Sequence, residues 1–180
     1  MIARLVGSEM CIRDRADEEG LAFDLLRAVE SVNAAQKKSL VHKIKAHFDG
    51  QLAGKRFAVW GLAFKPRTDD MREAPSVIVI NALLEAGAEV HAHDPEALET
   101  GRQEIGERVE YHRVNYEALR DADALLVLTE WNEFRHPDFD RMRQLMRQPV
   151  IFDGRNIYDL TAMQNAGFTY YSMGRPTVQP

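Results

Sequence analysis

The residues of this chain that could do chemistry crowd into one stretch. Between Gly61 and Ser76, in GLAFKPRTDDMREAPS, stand Lys65, Arg67, Asp69, Asp70, Arg72 and Glu73. A lysine ammonium meets a phosphate as a compact point charge, and an arginine fork meets phosphate or carboxylate through two parallel hydrogen bonds. Phe64, next to Lys65, offers a ring for a flat group to pack against. A second motif, Asp153-Gly154-Arg155-Asn156, places another arginine directly behind an apolar run. Each of these residues also has a plain structural reading. Phe64 and Lys65 alone read as a core ring and a solvated lysine. Asp69, Asp70 and Glu73 suit the positive end of a following helix, with Arg72 bridging them. Arg155 alone reads as a surface arginine.

Position decides between these readings. Phe57-Ala58-Val59-Trp60 is a short apolar run ending at Gly61, and Pro75 opens a helical pattern in Val77, Ile78, Ile80, Leu83 and Leu84 that stops at Gly87. The charged stretch is therefore a loop between a strand and a helix. Further strands are predicted at Glu89–His93, Val109–His112, Ala124–Leu128, Pro149–Phe152 and Phe168–Ser172, with helical patterns over 96–105, 115–119, 139–146 and 160–165. The uninterrupted apolar run Ala124–Leu128 suits a strand buried on both faces of a parallel sheet. Six alternations of strand and helix predict an α/β fold, a Rossmann-like doubly wound parallel sheet over residues 51–180. Loops near 61–73, 94–95, 129–132 and 153–156 then converge on the carboxyl edge of the sheet, where ligands of such folds bind.

A long α-helix precedes the sheet. Leu21, Leu25, Ala28, Val29 and Val32 recur at helical spacing, and the pattern continues through Leu40, Val41 and Ile44 towards Phe48, with Asp49-Gly50 as the stop. Such a helix spans about 40 Å, too long to be buried against one small domain. It reads either as a solvated amphipathic helix or as a connecting or dimerising helix. Helical stability usually comes from packing an apolar stripe, which favours the second reading. Residues 1–15 fit no clean period; they read as an artefact or a disordered leader and are set aside.

Bulk properties narrow the classes. Among 180 residues the net charge is −5, which argues against a general nucleic-acid binder. The one cysteine, Cys11, rules out an internal disulfide framework and suits a reducing compartment. No apolar run reaches the length of a membrane helix, and the amino terminus lacks a signal-peptide core, so a cytoplasmic protein is expected.

Several signals are missing. The first strand–helix turn carries Gly61 but no G-x-G-x-x-G, so a pyrophosphate held on glycine amides is not expected. Without that fingerprint, Asp94 reads as a strand-end Asp-Pro turn rather than a ribose-binding acid. The six histidines show no metal spacing, since His91 and His93 merely alternate along a strand with no carboxylate or cysteine cluster beside them, and no metal site is assigned. No nucleophile elbow appears.

Taken together, GLAFKPRTDDMREAPS (61–76), TEWNEF (129–134) and FDGRNIYD (152–159) resemble the C-terminal domain of the UDP-glucose 6-dehydrogenases, within the UDP-glucose/GDP-mannose dehydrogenase family. AGFTYYSMGR (166–175) and LLRAVESVN (25–33) match as well, so the resemblance runs from about Ala16 to Arg175. It implies a part of an enzyme that oxidises UDP-glucose to UDP-glucuronate with two NAD. Phe64, Lys65 and Arg155 inherit contacts to the nucleotide sugar, and Arg72 falls on the NAD side. Residues 16–50 match the end of a central helical domain through which family members form homodimers. The NAD-binding domain and the Gly-x-Cys-Phe-Pro-Lys-Asp segment with the nucleophilic cysteine have no counterpart here. Cys11 lacks the following proline, so no catalytic residue is assigned and the chain alone is expected to be inactive. Another nucleotide-sugar dehydrogenase, acting on GDP-mannose or a UDP-aminosugar, and a non-catalytic nucleotide-binding or dimerisation module remain the alternatives.

Overall fold

The computed structural model describes residues 12, 15, 18–20 and 24–180. The leader, Cys11 and the first residues of the helix predicted from Leu21 thus fall mostly outside the described residues. The chain divides into two compact units, Met1–Lys38 and Ser39–Pro180.

Helix α1 runs Asp24–His47. Asp24 lies in its first turn and Lys45 in its last, charges that offset the helix dipole at each end. In the first unit its residues Leu25, Val29 and Val32 are exposed. In the second unit its final turns behave differently: Leu40, Val41 and Ile44, followed by Phe48, are buried in one cluster with Phe57, Val59, Leu126 and Phe152. The chain leaves α1 through Asp49 and Gly50, both at positive φ. The sequence pattern places the domain boundary after residue 50. The compact unit begins at Ser39 instead, because the last turns of the helix carry core residues.

The sheet of the second unit has six strands, β1 (Arg56–Trp60), β2 (Glu89–His93), β3 (Val109–Tyr111), β4 (Ala124–Val127), β5 (Val150–Asp153) and β6 (Thr169–Ser172). Their order is β3-β2-β1-β4-β5-β6, and every pairing is parallel. The chain winds outward one way from β1, returns to β4 and winds the other way, so the topological switch lies between β1 and β4. Side chains alternate between two cores. Phe57, Val59, Val90, Ala92, Leu126 and Phe152 face α1 and the buried side of α2 (Pro75–Glu85). Ala58, Trp60, Leu125, Val127 and Ile151 face Leu119, Phe134, Met142, Met163 and Phe168 on the other side. These last residues come from α4 (Asn115–Ala118) and its cap, a short 3-10 helix at Asn132–Phe134, α5 (Phe139–Leu145), and α6 (Leu160–Asn165) with the residues after it. Helix α3 (Leu98–Ile105) joins β2 to β3. The doubly wound α/β architecture is as the alternation predicts, with strand ends within a residue or so. Because all six strands are parallel, every strand-end loop emerges at one edge.

Candidate functional site

The loop after β1 is pinned at its base and open at its tip. Leu62, Ala63, Met71, Ala74 and Ser76 are buried, while Phe64, Lys65, Arg67, Asp69, Arg72 and Glu73 are exposed. Ser76 donates from Oγ to the Leu62 carbonyl at 2.5 Å, and the Phe64 amide donates to the Asp70 carbonyl at 2.9 Å, closing the tip. Arg67 and Glu73 hold positive φ angles of 65° and 59°. Non-glycine residues adopt that conformation at a cost and keep it only where surroundings over-determine it. Phe64 is 49% exposed, so the core-ring reading fails. Lys65 forms no ion pair or hydrogen bond among the described residues. Arg72 does bridge, as its plain reading expects: it grips Asp70 through Nε at 2.9 Å and Nη2 at 2.7 Å. This hydrogen bonding pulls the Asp70 carboxyl down to about 2.

The base of the loop explains the missing glycine fingerprint in atoms. Asp94, fully buried at the end of β2, accepts from the amides of Leu62 at 2.7 Å and Ala63 at 3.1 Å through Oδ2. The same oxygen accepts from Trp131 Nε1 at 3.2 Å, and Oδ1 accepts from the amides of Glu96 and Ala97, each at 2.9 Å. The donors that a Rossmann turn offers a pyrophosphate are here taken by an internal carboxylate. Asp94 is thus a structural acid, not a ribose ligand. The loop after β4 closes the same gap: Thr129 Oγ1 donates to the Ala63 carbonyl at 2.5 Å. A Cβ on Gly61, which sits at φ 96°, would stand 2.5 Å from the Thr129 Cβ. Glycine is needed at 61 for this close approach as well as for its backbone angle.

The loop after β5 is built around a second buried strand-end carboxylate. Asp153 Oδ1 accepts from the Arg155 amide at 2.8 Å; Oδ2 accepts from the Ile157 amide at 2.8 Å and the Tyr170 hydroxyl at 2.7 Å. Burial and the Asp153 charge push the Tyr170 hydroxyl far up, so it stays a donor, and Arg175 Nη2 donates to its oxygen at 2.9 Å. Asn156, at φ 57°, completes the turn with a residue type that tolerates the left-handed region. The Arg155 side chain is turned outward, where Nε binds Glu130. That hydrogen bond lowers the Glu130 pKa despite partial burial.

The loops of β1, β2, β4 and β5 therefore form one connected rim. Asp94 and Thr129 tie the first three, and Glu130 ties the fourth. Phe64, Lys65, Arg72 and Arg155 all lie on this rim, with no direct contact between Arg155 and the other three. Sequence reasoning missed Asp94's five donors, Asp153 as a scaffold and Glu130 as the arginine's holder. The available signal was two aspartates, each at the end of a predicted strand.

A model of the UDP-binding domain of the UDP-glucose/GDP-mannose dehydrogenase family matches residues 58–160. The chain belongs to this family. It is 45% identical over 166 residues to a UDP-glucose 6-dehydrogenase of Pseudomonas aeruginosa, covering 89% of this chain and 37% of that protein. It is 42% identical over 164 residues to UDP-glucose 6-dehydrogenase TuaD of Bacillus subtilis, covering 91% and 35%. Among solved structures, a UDP-glucose dehydrogenase from Pyrobaculum islandicum superposes with a TM-score of 0.72 at 32% identity, over 83% of this chain and 33% of that one. A GDP-mannose dehydrogenase from Pseudomonas aeruginosa, at 18% identity and a TM-score of 0.67, shares the fold. The chain spans little more than a third of the length of these curated relatives. The family match covers the β1 loop, the β4 loop and the Asp-Gly-Arg turn, the segments that build the rim.

Proposed function

We propose that this domain grips the UDP half of UDP-glucose, as part of an oxidoreductase that converts UDP-glucose to UDP-glucuronate with NAD. Phe64 and Lys65 contact the nucleotide sugar from the β1 loop and Arg155 contacts it from the β5 loop, while Arg72 faces the NAD side. One observation carries this reading. The backbone donors at the switch point are consumed by Asp94, whereas the Phe64 ring and the cations Lys65 and Arg155 stand exposed on the same rim. A diphosphate there is met by side-chain cations rather than by a glycine cradle. The hydride chemistry needs groups these 180 residues do not contain, so the chain alone does not turn over UDP-glucose. The exposed Leu25, Val29 and Val32 of α1, at helical spacing, support a homodimer formed through that helix. No helix among the described residues is long and apolar enough to cross a membrane.

Calorimetric titration of the chain with UDP, GDP and NAD tests the reading. Binding of UDP in preference to GDP, with NAD bound weakly or not at all, is the expected result. Preference for GDP, or tight NAD binding with no response to UDP, overturns it. Oxidation of UDP-glucose by the purified chain would overturn the inactivity.

A further inference from the structure

On the far side of β2 from the switch point, a second constellation of chemistry-bearing side chains lies clear of the rim. His91 sits on β2, paired in register with Glu110 on β3. Side chains two apart on a strand share a face, so His112, just past the end of β3, joins them. Its amide continues the ladder, donating to the Ala92 carbonyl at 2.8 Å. His91 Nδ1 stands 3.0 Å from His112 Nε2, which stands 3.4 Å from Glu110 Oε1. The ligand atoms of all three residues fall within 4.8 Å of one another. The carboxylate that spacing along the sequence does not place beside the histidines is supplied across the sheet.

We propose that His91, Glu110 and His112 bind one divalent transition metal ion of the zinc class, clipping the edge strand β3 to β2. The donor set, two imidazoles and a carboxylate, suits zinc. Ligands at 2.0–2.1 Å around a tetrahedral ion stand about 3.3 Å apart, close to the two separations at His112; Glu110 Oε2 meets the other ring nitrogen of His91, Nε2, at 3.5 Å, so the carboxylate moves to join an ion held on Nδ1. The two imidazole rings are nearly parallel, 15° apart with centroids at 5.1 Å, so nitrogens 3.0 Å apart point almost at each other, and one ring must swing for both lone pairs to converge on an ion. The Glu110 side chain is 64% exposed and free to swing onto the ion, and a water completes the tetrahedron. The backbone carrying the histidines is held in place: His91 is 8% exposed, and the carbonyl of His112 is 3.0 Å from His93 Nδ1. The other nitrogen of His93 contacts Glu133 at 2.7 Å. The ligand His112 is thereby backed by a residue that reaches the β4 loop. A strand of only three residues at the edge of a sheet gains most from such a clip, because few ladder bonds hold it.

Zinc titration of the full chain against a chromogenic chelator, with cobalt absorption as a readout of tetrahedral geometry, tests the proposal. One ion per chain is expected, with a rise in the thermal midpoint on adding zinc, as for any ligand of the folded state. His112→Ala and Glu110→Gln should each weaken binding by at least about tenfold, since even outer-shell partners of a metal ligand matter that much. Cys11→Ser should bind as the parent does. Thermal midpoints without metal check that the variants fold, and the exposed Glu110→Gln keeps the test decisive if His112→Ala does not. Parent-like affinity in Glu110→Gln, loss of binding in Cys11→Ser, or no uptake by the parent overturns the site.

Discussion

Two aspartates end two strands of this sheet, both fully buried, and they do opposite things. Asp94, after β2, collects five donors from three segments and leaves no backbone amide at the base of the first turn for a ligand. Asp153, the last residue of β5, folds the chain back on itself through the amides of Arg155 and Ile157 and the Tyr170 hydroxyl, and in doing so aims the Arg155 side chain outward. The first seals the rim and the second presents a cation on it. The lesson is about donor supply: a carboxylate that absorbs the turn's amides turns a cofactor cradle into structure, and in the proposed function recognition falls to side chains.

Amide replacements should separate the two. In Asp94→Asn no orientation of the amide fits, because both oxygens face only donors. A loss of about 3 kcal/mol is expected in urea unfolding, from charge-assisted bonds given up and donors left buried. A loss below about 1 kcal/mol would break the claim that Asp94 seals the turn. Gly61→Ala, forced against Thr129, should lose about 2 kcal/mol by the same measurement, from overpacking and the positive φ. Asp153→Asn should cost less, about 1 kcal/mol: its oxygen can keep the donors of Ile157 and Tyr170, and the one donor then opposed by the amide nitrogen, the half-buried Arg155 amide, can turn to water. Its affinity for UDP should nonetheless fall severalfold, as the turn under Arg155 loosens. If Asp153→Asn kept full affinity, its presenting role would be wrong.

The smallest effect is with pH. Burial lowers the pKa of His47, whose Nδ1 lies 2.9 Å from the Tyr171 hydroxyl. The unfolded chain then binds that proton more readily than the folded one. Its contribution to stability is therefore complete above about pH 6.5 and lost as pH falls below it. Replacing His47 by Gln should flatten the stability profile between neutral and mildly acid pH. A profile as steep as the parent's would assign the slope elsewhere.

Much of this arrangement is legible in the sequence, and the limits have physical causes. Strand runs such as Ala124–Val127 are continuous because both faces are buried, so their positions read directly. The convergence of the loops followed from alternation alone. The long helix was half legible: its stripe is periodic throughout, but periodicity does not say that Leu40, Val41 and Ile44 are buried in the domain while Leu25, Val29 and Val32 are exposed. The partners of Asp94, the hold of Glu130 on Arg155 and the meeting of His91 with Glu110 all depend on register and loop path between distant segments. No local spacing encodes those.

The central claim is that side-chain cations on the rim, not backbone amides, receive the diphosphate. Calorimetry with UDP on the parent, Lys65→Ala and Arg155→Ala tests it most directly. The account predicts at least about tenfold weaker binding in each variant, the loss of a charge-assisted contact, with the fold unchanged. UDP affinity equal to the parent's in both variants would contradict it.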